Sequence, residues 1–169
     1  WFFVFWKTPQ MTWFEAGYYA VFHSISAFCN AGFSLFSDSL VGFQTHFPTV
    51  MTVSGLIILG GLGFPVLFNY YQRYRSTAFV PIKLQTSLAV RVTFFLIIVG
   101  TGLIYFTEKR FSLAQLSFLD QLQVSFFQSV TSRTAGFNTI DIGVFQSSTV
   151  MILIVLMIVG ASPGSTGGG

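Results

Sequence analysis

Between Pro48 and Phe68 the chain runs for 21 residues without a charged side chain. As a helix rising about 1.5 Å per residue, that run is about 31 Å long, close to the ~30 Å hydrocarbon core of a bilayer. A second run, Leu84 to Phe106, is interrupted only by Arg91, which stands near enough to one end to snorkel to the headgroups. A third, Val144 to Gly160, passes into Ala161-Ser-Pro-Gly-Ser-Thr-Gly-Gly-Gly169. Composition agrees: 8% of the 169 residues are charged, against about a quarter in soluble domains, while 53% are hydrophobic and 22 are Phe. That apolar load rules out a disordered chain, and a soluble domain of this length has too little core to absorb it. The expectation is an all-α membrane protein. The short apolar stretch Trp1–Trp6 reads as the tail of an earlier span, and the whole as a piece of a longer polypeptide.

Orientation follows from the basic residues. The connection between the first two runs holds Arg73, Arg75 and Lys83 with no acid, and so is cytoplasmic by the positive-inside rule. Tyr70, Tyr71 and Tyr74 fit an aromatic belt at that edge. Asp38, and the mixed group Glu108, Lys109, Arg110 and Asp120, face outward. The single Cys29 excludes an intrachain disulfide, and no basic stripe suits nucleic acid. Neither a Ser/His/Asp set nor paired carboxylates assemble for catalysis, so an enzyme is not expected.

The segments between the runs repeat. Phe22-His-Ser-Ile-Ser26 resembles Phe127-Gln-Ser-Val-Thr131, and Asn30-Ala-Gly-Phe33 matches Thr134-Ala-Gly-Phe137 with one residue fewer between the halves. Each copy opens on a helix-start signal, the capping box Thr12-Trp-Phe-Glu15 and its acidic analogue Ser117-Phe-Leu-Asp120. Each therefore reads as cap, apolar helix, Ala-Gly-Phe turn, polar segment and span. The helices are too short to cross, so a re-entrant hairpin is expected: helix in, extended backbone out. Irregular backbone at membrane depth needs burial in protein or a water-lined cavity, and such repeats build transport pathways. The plainer alternative is a pair of interfacial helices that Gly merely terminates.

A dehydrated monovalent cation requires replacement oxygens, and backbone carbonyls supply them without a fixed countercharge. Gly32 and Gly136 allow φ > 0, which turns carbonyls toward an axis. The helix C-terminal ends add negative potential there. Neither turn carries a carboxylate, which disfavours a divalent site. Arg133 borders the second turn, either to orient it from behind or to meet the ion directly, the former being the favoured reading. One chain holds two hairpins, and a four-fold ring needs four.

At these residues the sequence resembles the Trk/Ktr/HKT superfamily of potassium transporters, most closely the bacterial Ktr-type membrane subunit. The likeness is carried by the 22–36 and 127–141 blocks, by Gly60-Gly-Leu-Gly-Phe-Pro65 and by the 160–169 segment. It implies a potassium-channel-like fold of span, re-entrant pore hairpin and span, repeated four times. Residues 1–75 would be the hairpin and second span of repeat two. Residues 76–169 would be the first span, hairpin and broken second span of repeat three. The resemblance makes Asn30, Ala31, Gly32 and Phe33, with Thr134, Ala135, Gly136 and Phe137, the selectivity-filter positions for K+. His23, Gln128 and Arg133 would support them. It implies an intramembrane gate loop at Gly160, Ala161, Ser162, Pro163, Gly164, Ser165, Thr166, Gly167, Gly168 and Gly169. Pro163 and the glycines there cannot continue a helix, although a helix end followed by a linker would read alike.

The function so implied is potassium uptake by a multi-pass protein of the plasma membrane, K+ being cargo, with Na+ as a candidate coupling ion. A homodimer and a cytoplasmic nucleotide-binding regulatory ring subunit are the implied partners, beside the lipid bilayer. The chain itself has no phosphate-loop Gly-Lys-Ser/Thr ending. Two other readings stand beside this one: a non-transporting scaffold or accessory subunit, and a sodium-permeable member of the same family.

Overall fold

The computed structural model describes residues 11–76 and 81–168; the expectation for Trp1–Trp6 falls outside them. Every regular element among the described residues is helical. Helix α1 (Trp13–Phe28) starts at the Thr12 capping box, with Glu15 N donating to Thr12 Oγ1 at 3.2 Å and Thr12 N to Glu15 Oε2 at 2.8 Å. The Thr12 amide, and the Thr12 hydroxyl donating to the same oxygen at 3.0 Å, hold the exposed Glu15 carboxyl below the usual carboxylate range.

Helix α2 (Phe47–Leu62) begins with Pro48 in its first turn, where a missing N–H breaks no helical bond. It stops at Gly63, whose φ of +85° a side chain would strain. Helix α3 (Phe64–Arg75) leaves at 93° to α2, its Pro65 lacking the N–H that would continue the ladder. The uncharged run Pro48–Phe68 is therefore not the single straight span the sequence suggests. Past the bend, Tyr70, Tyr71 and Tyr74 stand exposed on α3.

Helix α4 (Leu84–Glu108) has 25 residues, about 38 Å at the standard rise. It is, among the described residues, the one unbroken helix long and apolar enough to cross a membrane. Thr86, Thr93, Ile97, Gly100, Ile104 and Glu108 form its buried stripe, while Phe95, Ile98 and Phe106 stand exposed. Such an apolar exterior suits lipid better than water.

Helix α5 (Phe118–Thr131) is capped by Ser117, whose Oγ accepts from Asp120 N at 3.3 Å. It packs on α4 where a Cβ at Gly100 would overlap the Ser129 hydroxyl, which itself donates to the Ile97 carbonyl at 3.2 Å. Small residues at such a crossing allow close approach of membrane helices.

Helix α6 (Ser147–Val159) starts later than its apolar run because Asp141 caps a 3-10 turn over Ile142–Val144, its Oδ1 accepting from Gly143 N at 2.9 Å. The buried Glu108 ties α4 to the start of α6. Its carboxylate accepts from Ser112 Oγ at 2.7 Å, from Gln146 N at 2.9 Å and from the Thr149 hydroxyl. An anion at a helix N-terminus is well placed.

The main core joins both copies: Ala27, Leu40, Val50, Val53 and Ile57 from the first meet Ile97, Phe127, Val130, Ala135 and Phe137 from the second.

Candidate functional site

Helices α1 and α5 end in the two Ala-Gly-Phe turns. At the first end Ala31 N reaches back to Ser26 O at 2.9 Å; at the second, Ala135 N and Gly136 N both reach Thr131 O, at 3.0 and 3.3 Å. The chain then reverses through Gly32 (φ 70°) and Gly136 (φ 80°). Asn30 (φ 51°) lies in a region that Asn tolerates, whereas β-branched Thr134 at φ 121° is strained.

Both turns are fixed by the same bond. Ser26 Oγ donates to the Phe33 carbonyl at 2.8 Å, and Thr131 Oγ1 donates to the Phe137 carbonyl at 2.8 Å. These hydroxyls sit at the last position of the repeated pentapeptide, which is the signal in the sequence for this anchor. The bond turns the Phe33 and Phe137 carbonyls back to their helices. The carbonyls of Asn30, Ala31, Gly32, Thr134, Ala135 and Gly136 accept no hydrogen bond among the described residues.

The two turns touch. A Cβ at Gly32 would overlap the Ala135 carbonyl oxygen and stand 3.2 Å from Gly136 Cα. Farther along, Leu40 N donates to Asn138 O at 2.9 Å and Asn138 N donates to Ser39 Oγ at 3.1 Å. The two extended limbs are thus clasped beside each other. Phe137 is fully buried between the copies, while its counterpart Phe33 is 69% exposed.

His23 is buried behind the first limb. Its Nε2 accepts from Leu35 N at 3.2 Å and lies 3.1 Å from Ser34 Oγ, so Nδ1 carries the proton toward Tyr19 O at 2.7 Å. Gln128 holds the matching place in the second copy but does not reproduce these bonds, its Nε2 having no partner among the described residues. Arg133 links the end of α6 to α4: Nε donates to Gly160 O at 3.2 Å and Nη2 to Thr93 Oγ1 at 3.3 Å.

After α6 the glycine-rich segment, described to Gly168 with Gly169 outside the described residues, runs beneath both turns. Gly160 (φ 62°) ends the helix. Ser162 N donates to Gly61 O at 3.1 Å, Phe64 N to Gly164 O at 3.2 Å and Thr166 N to Gly60 O at 3.3 Å. The segment is therefore seated on the break between α2 and α3. Its Thr166 Oγ1 donates to Phe28 O at 2.8 Å and accepts from Asn30 Nδ2 at 3.3 Å. Gly167 abuts Thr134, whose side chain a Cβ there would overlap.

No group of three or more His, Cys, Asp or Glu capable of holding a metal occurs among the described residues. The two turns instead present the carbonyls of residues 30–32 and 134–136, which accept no hydrogen bond among the described residues. A cluster of such dipoles without a countercharge suits a monovalent ion in passage.

The sequence model of the TrkH family, described as cation transport protein, matches residues 3–169. The Ktr system potassium uptake protein B of Vibrio alginolyticus is 42% identical over 163 residues, covering 95% of this chain and 36% of that protein. The potassium/sodium uptake protein NtpJ of Enterococcus hirae is 39% identical, covering 95% of this chain and 35% of that protein. The Ktr system potassium uptake protein B of Bacillus subtilis is 38% identical, again over 95% of this chain and 36% of its own length. The chain spans about a third of the length of these curated relatives.

Proposed function

The chain belongs to the TrkH family of cation transport proteins, and from that premise we propose that it is part of a potassium-uptake pore in the plasma membrane. The observation that carries the reading is the contact of two glycine bends whose neighbouring carbonyls accept no hydrogen bond among the described residues. In this reading the carbonyls at 30–32 and 134–136 are two quadrants of a selectivity filter. The Phe33 and Phe137 carbonyls, tied to Ser26 and Thr131, mark where each quadrant is anchored.

His23 holds the first limb through Leu35 and Ser34. Gln128 fills the corresponding place behind the second, and Arg133 braces the loop below. Residues 1–75 and 76–169 are then two successive hairpin units. Phe137 fills the joint between them; the exposed Phe33 marks the flank where an equivalent unit of the parent would pack.

Residues 160–169 form the gate. The segment lies under both turns and meets the helix break at Gly63, so its displacement opens the cytoplasmic side of the pathway. A homodimer and a cytoplasmic nucleotide-binding ring that moves this segment belong to the same proposal, as does Na+ as a coupling ion. The name of the Enterococcus hirae relative, a potassium/sodium uptake protein, favours one second reading: a pore that also passes sodium. A scaffold that carries no flux is the opposing account.

The test is ion uptake by the full-length parent reconstituted in liposomes. Gly32→Ser and Gly136→Ser should each lower the preference for potassium over sodium by about tenfold or more, a factor equivalent to ~1.4 kcal/mol of differential binding. Unchanged preference and rate in both variants would remove the filter assignment, and absence of any flux from the wild type would favour the scaffold.

A further inference from the structure

Three pieces of chain meet at one point: the end of α1, the end of α2 and the glycine-rich segment. The Phe28 carbonyl is among those that a helix C-terminus leaves unpaired, and the Thr166 hydroxyl supplies its partner at 2.8 Å. The same oxygen accepts from Asn30 Nδ2 at 3.3 Å, and the Thr166 amide donates to Gly60 O at 3.3 Å. A Cβ at Gly60 would overlap the Phe28 carbonyl and stand 2.8 Å from Thr166 Oγ1, so only glycine lets the three pieces close.

We propose that Thr166 is a positioning residue for ion selection: it fastens the glycine-rich segment to the base of the first turn, so that leaving its seat loosens that turn. The proposal rests on the filter-and-gate reading above and adds to it a route between the two parts. Asn30 opens the first turn in a left-handed conformation (φ 51°). Its amide nitrogen is held by Thr166, while its Oδ1 has no partner among the described residues. Withdrawal of Thr166 therefore frees Asn30 and the Phe28 carbonyl together, and the carbonyls at 30–32 follow.

The second turn is fastened otherwise: Arg133, just before it, donates from Nε to Gly160 O at 3.2 Å. Thr134 occupies the place of Asn30, yet its hydroxyl has no hydrogen-bond partner among the described residues and merely abuts Gly167. The hydroxyl fastening through Thr166 is consequently particular to the first turn. Withdrawing Thr166 disturbs the first turn directly, whereas the Arg133 bond and the Thr131 anchor of the second turn do not involve it.

The experiment measures rubidium uptake and potassium/sodium competition by the full-length parent in liposomes, without any regulatory partner. Thr166→Val keeps the shape and removes the hydroxyl. One or two hydrogen bonds of ordinary net strength correspond to roughly threefold to tenfold in an equilibrium, so basal flux should rise and potassium preference should fall by about that factor. Thr166→Ser, which keeps the hydroxyl, should match the wild type in both. Should Thr166→Val fail to reach the membrane, Thr166→Ala removes the same group and replaces it. A rise in flux with unchanged preference overturns the proposal, because a merely mechanical plug behaves that way; so does a Ser variant that behaves like Val. Gly136→Ser separates this failure from that of the reading beneath it. If Gly136→Ser lowers the preference and Thr166→Val does not, the filter stands and the fastening falls. If neither changes it, both fall.

Discussion

Gly32 lies so close to the Ala135 carbonyl that a side chain at position 32 would occupy the oxygen's place, yet a Cβ at Gly136 would come no nearer than 3.8 Å to Gly32 Cα. Two residues that the sequence makes equivalent are thus unequal in space. Both have positive φ, so alanine at either incurs about 1–2 kcal/mol of left-handed strain. Only at Gly32 does an overlap with backbone add to it. Gly32→Ala should destabilise the full-length parent clearly more than Gly136→Ala, by several degrees in a detergent melting curve. Equal shifts would mean that the turns do not touch as described.

The hydroxyl anchors give a second asymmetry. Thr131 and its bond to Phe137 are buried, whereas the buried Ser26 bonds the carbonyl of the exposed Phe33. Thr131→Val leaves a buried carbonyl unpaired, a cost of about 1–3 kcal/mol, against about 1 kcal/mol for Ser26→Ala, whose carbonyl partner keeps access to other donors. Melting curves of the two variants should rank in that order, with Thr131→Ser close to wild type.

Glu108 holds α4 to the start of α6 through Ser112, Gln146 and Thr149. Glu108→Gln presents one accepting oxygen where the carboxylate presents two and removes the charge from the helix N-terminus. The expected loss is about 1–3 kcal/mol, read as a lower melting temperature with little change in ion preference, since the residue stands away from both turns. A changed preference with intact stability would place Glu108 on the ion's path instead.

Gly63 makes the bend that seats the glycine-rich segment. Its φ is +85°, and a Cβ there would lie 2.8 Å from Gly164 O. Gly63→Ala should push the segment off the break and raise basal rubidium flux through the full-length parent by roughly threefold or more, a change on the scale of one hydrogen bond. Flux at the wild-type level, with the protein folded, would separate the bend from gating.

Much of this arrangement was legible in the residues. Leu84 to Phe106 reads as a span because nothing interrupts its apolar character except a snorkelling Arg91, and α4 covers it. Thr12 with Glu15, and Ser117 with Asp120, announce helix starts by local chemistry that needs no tertiary context. Pro48 to Phe68 misleads because hydropathy has no direction: an uncharged run reads the same straight or bent. Its Gly63 and Pro65 were the only hint of the 93° turn. The bond from Thr166 to Phe28 joins residues 138 positions apart, and no periodicity reaches across such a distance. Likewise, matched tetrapeptides show that Gly32 and Gly136 are alike, without showing that they meet.

The most direct test is anomalous scattering from rubidium-soaked crystals of the full-length parent. The account expects density on an axis faced by the carbonyls around Gly32 and Gly136, lost in the Gly136→Ser variant. Ordered rubidium held by side chains elsewhere, with none facing those carbonyls, would contradict it.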